Sequence, residues 1–332
     1  MKSQVLRVAG QKILPGERRR IYIEVASLYD HTQLSIPVEV IRGKRSGPSL
    51  FISAAIHGDE INGVEIIKRL LKKKSIEKIK GTLFLIPVVN VFGFNTKSRY
   101  LPDRRDLNRS FPGRKNGSLA SRLAYIFMKE VVRHCTHGID LHTGALNRKN
   151  LPQIRACMDD DESKELAQSF GVPVLVHSEL RDGSLREAAR RKGVKTLLFE
   201  GGEALRFDES VIRAGVNGCL RVMKKIGMLE GVIKEGKSHL AKRSQWIRAP
   251  KSGSFRNRVS LGASVNPGQI LAEITDPFGD SRTLVLAEEE GVVIGISQVP
   301  LVNRGDAMFH IGLFTNPRRV RSTIDMFDEA LI

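Results

Sequence analysis

Two patterns of apolar side chains divide the first ninety residues. Residues 20–26 and 34–41 alternate apolar and polar side chains, the period of a half-buried strand. Residues 51–56 and 82–89 are instead almost continuously apolar, which is typical of strands buried on both faces. The chain therefore begins with two half-buried strands, followed by two strands of a sheet interior.

Helical spacing of apolar residues follows the first buried run and recurs later. Val64, Ile67 and Leu71 lie on one helical face. Further helices are predicted at residues 118–132, 161–170, 184–191 and 208–226, and further strands at 138–144, 154–158, 172–176 and 195–199. Strands that alternate with helices indicate an α/β fold, in which helices flank a sheet.

The pattern changes near residue 232, where Gly and Pro begin to separate short strand-like runs. We therefore predict two domains, an α/β domain over residues 1–231 and an all-β domain, sandwich- or barrel-like, over residues 232–332. Residues 320–332 fit either a strand or a helix. The β domain is expected to cover a cleft or to mediate assembly into a homo-oligomer.

Composition favours a folded cytoplasmic protein. The 332 residues are 41% hydrophobic and 27% charged. No apolar run reaches the roughly 20 residues that span a bilayer, and residues 1–10 lack the apolar core of a secretory signal. The three cysteines form no CxxC pair, which indicates reduced thiols rather than a disulfide framework.

The formal net charge of +18 predicts an anionic partner. Nucleic acid and a small anionic substrate both fit this charge. The positive residues are spread along the chain, aromatic residues make up 6%, and no nucleic-acid-binding module is present. We expect a small anionic substrate, with neither a nucleic-acid nor a membrane partner.

A candidate metal site begins where the first buried strand ends. His57 follows that strand, and Glu60 lies three residues later, at the predicted start of a helix. His142 ends another predicted strand and provides a third ligand. Two imidazoles and a carboxylate are ligands that zinc takes in hydrolases, with one position left for water. Asp140 either orients a ligating histidine or satisfies local backbone donors.

Two further groups of polar residues supply the rest of a hydrolytic site. Glu200 ends a buried strand and precedes two glycines, where it can act as general acid/base. Residues 90–113 lack periodicity and are rich in arginine, which can stabilise a carbonyl oxyanion or bind a carboxylate. Asn108 beside Arg109 would pair a neutral amide with a guanidinium.

Four motifs carry a family resemblance in this order: HGDE, DLNRSFPG, DLHTG and FEGGE. Together they resemble the succinylglutamate desuccinylase/aspartoacylase family of zinc carboxypeptidase-like hydrolases. The motifs cover about residues 49–203, and the β unit after residue 232 is similar to the C-terminal domain of that family. The resemblance implies a carboxypeptidase-like mixed sheet and one Zn²⁺ per chain.

The resemblance also implies residue roles. It makes His57, Glu60 and His142 the zinc ligands and Glu200 the catalytic acid/base. Asn108 and Arg109 match the pair that binds the substrate carboxylate. Arg99 matches the arginine that polarises the scissile carbonyl, with Arg104 and Arg105 as alternatives. Residues 176–183 offer no match, so the acyl group and the amine stay open.

The predicted function is zinc-dependent hydrolysis of the amide bond of a small N-acyl amino acid or a related amide. A zinc carboxypeptidase or amidase acting on a peptide is the first alternative. A non-catalytic protein that binds an anion or nucleic acid is the second, against which the intact set of candidate ligands argues.

Overall fold

The computed structural model describes residues 5–233 and 236–331 of the protein. The outer domain limits predicted at residues 1 and 332 lie outside the described residues. The strands are β1 (Leu6–Val8), β2 (Gln11–Ile13), β3 (Arg18–Ser27), β4 (Gln33–Arg42), β5 (Ser49–Ala54), β6 (Thr82–Ile86), β7 (His137–Gly144), β8 (Arg148–Ala156), β9 (Val174–His177), β10 (Lys195–Glu203), β11 (His239–Ala241), β12 (Arg243–Arg248), β13 (Gly253–Asn257), β14 (Ser264–Val265), β15 (Ile270–Thr275), β16 (Arg282–Leu286), β17 (Gly291–Ser297), β18 (Leu301–Val302) and β19 (Ala307–Leu313).

The α-helices are α1 (Asn62–Leu71), α2 (Val91–Asn95), α3 (Leu119–Glu130), α4 (Asp161–Phe170), α5 (Leu185–Arg190), α6 (Glu209–Lys225) and α7 (Pro317–Glu329). Ser118 and Asp208 cap α3 and α6, because their side chains accept hydrogen bonds from the backbone N–H groups of Ser121 and Val211. Among these helices, none combines the length and the apolar character needed to cross a bilayer.

A mixed sheet forms the centre of the molecule. Strands β10, β7, β5 and β6 are parallel neighbours in that order. Antiparallel strands extend this set on both sides, with β4 and β3 beyond β6, and β8 beyond β10. The predicted α/β fold with a mixed sheet flanked by helices is confirmed.

Successive side chains of β5 point to opposite layers of helices. Leu50 and Ile52 pack in the core with α1, α4 and α6, whereas Phe51 packs with α3 on the other face. A strand covered on both faces has no solvent side, and this explains why its sequence is continuously apolar. The parallel strands therefore direct their carboxyl ends to one edge, where polar residues can follow.

The C-terminal strands are joined to the central sheet. Strand β17 pairs with the beginning of β8, with Gly295 opposite Asn150, and β19 and β12 follow β17. Strands β16, β15, β13 and β18 form a second sheet, and the two sheets enclose their own apolar core. The β architecture of this region is as predicted, and residues 317–329 form a helix. The division at residue 231 stays a prediction.

Two segments differ from their predicted extents. The strand predicted at residues 154–158 begins at Arg148, because β8 pairs with β17 through a polar stretch that has no apolar signal. Residues 90–113, predicted as irregular, contain the short helix α2 and a 3₁₀ turn at Leu107–Arg109. Helix α1 starts at Asn62, two residues after Glu60.

Helix α1 lies so close to the sheet that Gly63 has no room for a side chain. A Cβ atom there would lie 2.7 Å from the Cβ of Ala54 and 2.8 Å from the Cβ of Leu141. Both atoms are attached directly to the backbone, so they cannot move aside without the strands. Gly63 therefore fixes the distance of α1 from β5 and β7.

We predict that Gly63→Ala lowers the free energy of unfolding by about 1–3 kcal/mol, the usual cost of overpacking a core. An alanine in an ordinary helix would instead stabilise the protein by about 0.5–1 kcal/mol. Urea unfolding measures the difference. Lys68→Ala, on the exposed face of the same helix, serves as the control and should change stability by less than about 0.5 kcal/mol. A stabilised Gly63→Ala protein would contradict this packing.

Candidate active site

The turn that carries His57 and Glu60 lies directly after β5. The backbone N–H of Glu60 donates a hydrogen bond to the carbonyl oxygen of His57 at 3.1 Å, and this bond closes the turn. Gly58 sits against α2, and a Cβ atom at this position would lie 2.0 Å from the backbone carbon of Gly93. Only glycine fits at position 58, because any side chain would clash with the backbone of α2, which cannot move aside as a flexible side chain could. The turn brings the imidazole and the carboxylate to the same side.

The carboxylate of Glu60 is the centre of the site. Its Oε1 lies 2.7 Å from Nδ1 of His57 and accepts a hydrogen bond from Nη1 of Arg99 at 3.2 Å. Its Oε2 lies 2.8 Å from Nδ1 of His142 and accepts from the backbone N–H of Thr143 at 3.1 Å. The structure thus brings the three predicted ligands together, although 82 positions separate Glu60 from His142.

The second nitrogen of each histidine contacts an aspartate. Nε2 of His57 lies 3.1 Å from Oδ1 of Asp106, and Nε2 of His142 lies 2.7 Å from Oδ2 of Asp140. Ser53 donates to the other oxygen of Asp140 at 2.8 Å. Such carboxylates orient a ligating imidazole and leave its other nitrogen for the metal. Of the two roles considered for Asp140, this contact favours orientation of His142.

The donor set fits a metal ion. His57, Glu60 and His142 are buried, and one ligand atom from each lies within 4.8 Å of the others. Both Nδ1 atoms face the Glu60 carboxylate, whereas both Nε2 atoms are held by aspartates. Two nitrogens and one carboxylate oxygen at one point are a common set for a divalent transition metal.

Charge pairing changes the protonation behaviour of this cluster. Burial alone would raise the pKa of Glu60, but His57 and His142 hold it well below its usual range. Burial would lower the pKa of His142, but Asp140 and Glu60 raise it well above its usual value. The pKa of Asp106 is also held low, because His57 and Arg99 outweigh the effect of burial. The carboxylates of Glu60 and Asp106 are therefore anionic at neutral pH.

Glu200 reaches the same cleft from the neighbouring strand. In the parallel pairing of β10 with β7 it lies directly opposite His142. Paired strands are about 4.8 Å apart, so the two side chains leave the sheet side by side. Nδ2 of Asn150 donates to Oε2 of Glu200 at 2.8 Å, and Nη1 of Arg155 lies 3.9 Å from Oε1.

The cleft has a volume of about 770 Å³. Its lining includes all seven predicted site residues: His57, Glu60, Arg99, Asn108, Arg109, His142 and Glu200. A larger open groove of about 930 Å³ between β3 and α3 contains none of them. Residues 178–181, in the loop that matched no motif, also line the cleft.

The arginine-rich segment places one of its three candidate arginines next to Glu60. Arg99 binds Glu60 and, through Nη2, Asp106 at 3.0 Å. Arg104 and Arg105 are exposed and do not line the cleft. The side chain of Asn108 accepts a hydrogen bond from the backbone N–H of Leu185 at 2.9 Å, which ties this segment to α5.

Several residues that line the cleft or support its metal cluster were not predicted from the sequence. Asp106 stands inside the DLNR motif and could have been recognised as a carboxylate close to the predicted ligands. Asn150, Arg148, Arg155 and Arg186 belong to no motif, and no local signal distinguishes them. Trp246, predicted to pack near the domain boundary, lines the cleft from β12; it stacks on His310 at 4.4 Å, with the Arg148 guanidinium 4.6 Å from its ring centre.

These features define an α/β protein that carries a candidate metal centre at the carboxyl ends of parallel strands, beside an arginine-rich cleft. Residues 46–226, more than half of the chain, match the family described as the succinylglutamate desuccinylase/aspartoacylase catalytic domain. The chain belongs to this succinylglutamate desuccinylase/aspartoacylase family, as its four motifs indicated.

Individual relatives agree with this assignment. The chain is 28% identical to the N-alpha-acetyl-L-2,4-diaminobutyric acid deacetylase of Halomonas elongata over 82% of its own length and 84% of that protein. It is 30% identical to the succinylglutamate desuccinylase of Pseudomonas aeruginosa strain PAO1, over 43% of this chain and 45% of that enzyme.

Solved structures share the fold. A succinylglutamate desuccinylase/aspartoacylase from Rhodobacter sphaeroides superposes with a TM-score of 0.80 at 24% identity, over 90% of this chain and 96% of that one. The product-bound ectoine utilization protein EutE (DoeB) of Ruegeria pomeroyi gives a TM-score of 0.80 at 25% identity, over 90% and 95% of the two chains.

His310, which supports the Trp246 wall of the cleft, should make stability depend on pH. Burial, with Arg155 and Arg148 nearby, lowers its pKa from 6.5 to about 3. As the pH falls below 6.5, His310 becomes protonated in the unfolded chain, whereas in the folded protein it stays neutral until about pH 3. This contribution to stability is therefore present above pH 6.5 and is lost as the pH falls.

We predict that the free energy of unfolding of the wild type declines by up to about 1.4 kcal/mol per pH unit relative to His310→Phe, which keeps a ring on Trp246 but cannot titrate. Urea unfolding between pH 7 and pH 4.5 measures this difference. His31→Asn, in an exposed loop, is the control and should follow the wild type. Parallel curves for the wild type and His310→Phe would contradict the prediction.

Proposed function

We propose that the protein is a zinc-dependent amidohydrolase that cleaves the amide bond of small N-acyl amino acids. The observation that carries the proposal is the meeting of the His57, Glu60 and His142 cluster with Glu200 in one cleft. Membership of the family supports the reaction class, since the relatives described above are a deacetylase and a desuccinylase.

His57, Glu60 and His142 would hold the zinc ion through two nitrogens and a carboxylate. Zinc suits this donor set, and a site with three protein ligands leaves a position for water or substrate. When bound, the ion supplies a Lewis acid that activates water and polarises a carbonyl. Asp106 and Asp140 keep the two imidazoles oriented, and Arg99 and Thr143 keep the Glu60 carboxylate in place.

Glu200 is the proposed general acid/base. Its place beside His142 in the register lets it take a proton from the attacking water and later deliver it to the leaving amine. The hydrogen bond from Asn150 fixes one carboxylate oxygen, and the other faces Arg155 at 3.9 Å. The carboxylate is thus oriented without being closed off from the cleft, which it lines.

Arginine and asparagine side chains would bind the substrate. Arg99, the candidate arginine beside Glu60, would face the carbonyl oxygen as negative charge develops. The oxygen of the Asn108 amide is occupied by Leu185, so its nitrogen is the group that can donate to a carboxylate. Arg109 lies beside it, and among the described residues no carboxylate approaches its guanidinium within 4.0 Å. Together they offer an amide N–H and a guanidinium that has no carboxylate partner in the described part of the chain and donates through Nη1 to the carbonyl of Asn108.

We retain three predictions as part of this proposal: a cytoplasmic location, a small anionic substrate and homo-oligomer formation. Cys135, Cys157 and Cys219 are free thiols, which is consistent with a reducing compartment.

Metal removal is the first test. We predict about one zinc ion per chain by elemental analysis, loss of N-acyl amino acid hydrolysis on chelation, and recovery on addition of Zn²⁺. The assay uses N-acetyl and N-succinyl derivatives of several amino acids. Equal rates before and after complete metal removal would refute the proposal. A zinc-loaded protein that cleaves short peptides but none of these amides would favour the peptidase alternative.

Glu200→Gln tests the acid/base. We predict a fall in kcat of about 10²–10⁴-fold with unchanged zinc content, because the amide keeps the shape but cannot exchange a proton. Glu203→Gln is a matched control on the same strand, where the carboxylate accepts a hydrogen bond from Asn147 outside the cleft. Its kcat should stay within a few-fold of the wild type. Comparable losses of kcat in both variants would show that the Glu200 substitution acts by disturbing the structure. That result would contradict the role of Glu200 as general acid/base.

A further inference from the structure

Residues of the C-terminal β region lie in one row with Asn150, the hydrogen-bond donor to Glu200. Gly295 of β17 lies opposite Asn150 of β8, and His310 of β19 lies opposite Gly295. Residues opposite one another on neighbouring strands share a face of the sheet. The row therefore leads from the candidate acid/base into strands to which the proposed mechanism gives no part.

A bulge in β8 turns Asn150 towards the cleft. Gln153 lies opposite Glu200 and Asn150 opposite Gly202, so β8 takes three steps where β10 takes two. The extra residue reverses the alternation of side chains along the strand. Asn150 therefore lines the cleft and reaches Glu200, although the two residues are not opposite one another.

The two ends of the Asn150 amide are held differently. Its Nδ2 donates to Oε2 of Glu200 at 2.8 Å. Its Oδ1 is buried and has no hydrogen-bond partner among the described residues. Because an ionised carboxylate can only accept hydrogen bonds, an amide turned the other way would place two acceptors together at Glu200. The amide thus has one productive orientation, and its Oδ1 end depends on packing.

Gly295 provides this packing. A Cβ atom at position 295 would lie 2.8 Å from Oδ1 of Asn150 and 3.1 Å from the Cβ of His310. Both distances are shorter than ordinary contacts between such atoms, which are about 3.5–4.0 Å for two carbons. The backbone of Gly295 is not in the left-handed conformation, so the chain direction does not require glycine here. The lack of a side chain is therefore what admits the amide.

His310 prevents a side chain at position 295 from moving the other way. Its ring stacks on Trp246, with ring centres 4.4 Å apart, and the residue is 4% exposed. Its Cβ is fixed to β19, which is paired on both sides, with β17 and with β12. A methyl group at position 295 would therefore displace the Asn150 amide, which can rotate about its side-chain bonds.

We propose that Gly295, in the C-terminal β region, is a positioning residue for the general acid/base. It leaves the space in which the Asn150 amide lies, and the amide in turn aims the carboxylate of Glu200. A misplaced catalytic group loses much of its effect, because proton transfer requires hydrogen-bond reach and alignment. The inference rests on the proposed role of Glu200 and extends the catalytic apparatus to β17.

Gly295→Ala tests the proposal in the zinc-loaded enzyme. We expect kcat to fall by about 10- to 100-fold, the value of a hydrogen bond to a charged group. KM should stay near that of the wild type, because Asn108 and Arg109, which are proposed to bind the substrate, are untouched. Zinc content should also be unchanged. Wild-type kcat in Gly295→Ala would overturn the proposal.

Gly312→Ala is the matched control. Gly312 lies opposite Val292, three positions before Gly295 along β17, and is also outside the left-handed conformation. A Cβ atom there would lie 2.9 Å from the ring of Phe314 rather than near Asn150. Both variants should lose stability by overpacking. Only Gly295→Ala should lose kcat, and equal losses in both would overturn the proposal.

A double-mutant cycle tests whether Gly295 acts through Asn150. Asn150→Ala should lower kcat by about 10- to 100-fold, since it removes the donor to Glu200. In the Asn150→Ala background, Gly295→Ala should change kcat by less than about twofold, because the amide that it displaces is absent. Losses that multiply in the double variant would mean that the two residues act independently, and would overturn the proposal.

Nuclear magnetic resonance separates this inference from the proposed function. If the wild type hydrolyses none of the assayed amides, the amidohydrolase proposal fails, and protein with ¹⁵N-labelled asparagine tests the packing alone. The Nδ2 protons of Asn150 are identified by the loss of their signal in Asn150→Ala. Their signal should move in Gly295→Ala and stay in place in Gly312→Ala. An unmoved signal in Gly295→Ala would show that Gly295 does not position the amide.

Discussion

The buried carboxylate of Glu60 is the interaction on which the candidate site depends. A buried anion is tolerated only when opposite charges and donors surround it. Its partners are the imidazoles of His57 and His142, the guanidinium of Arg99 and the backbone N–H of Thr143. These groups come from three separate stretches of the chain. They meet because β5 and β7 are parallel neighbours, with Ala54 paired with Leu141.

The burial of the central strands on both faces explains the helices around the sheet. Because the central strands are apolar on both faces, helices must cover them, and the polar residues are left to the strand ends. The contact of Gly63 with β5 and β7 fixes the position of α1, which follows the Glu60 turn. The contact of Gly58 with α2 fixes the turn itself. The site is thus supported by packing that involves no functional side chain.

Strand β10 and the strands beyond it supply cleft side chains that do not belong to the cluster of His57, Glu60 and His142. Register places Glu200 beside His142, and the bulge in β8 turns Asn150 and Arg155 towards the cleft. The beginning of β8 also pairs with β17, and through this connection the C-terminal strands place Trp246 in the wall of the cleft. The C-terminal β region therefore contributes directly to the candidate site.

The sequence alone determined the local elements and the candidate ligands. Continuous apolar runs indicated the strands buried on both faces, Ser118 and Asp208 marked the starts of helices, and the order of four motifs identified the family. Each of these signals is local, because it depends on neighbouring residues or on short motifs. For the same reason His57, Glu60 and Glu200 could be named before their positions were known.

The tertiary structure alone decided which side chains meet. It paired Asp106 with His57 and Asp140 with His142, and it placed Arg99 at Glu60 while Arg104 stays exposed. It also brought Arg155 and Arg186 into the cleft. The direction of a strand side chain depends on register and on bulges, and register is set by a partner strand far away in the chain. A local sequence pattern does not identify that partner strand, so these contacts could be seen only in the folded sheet.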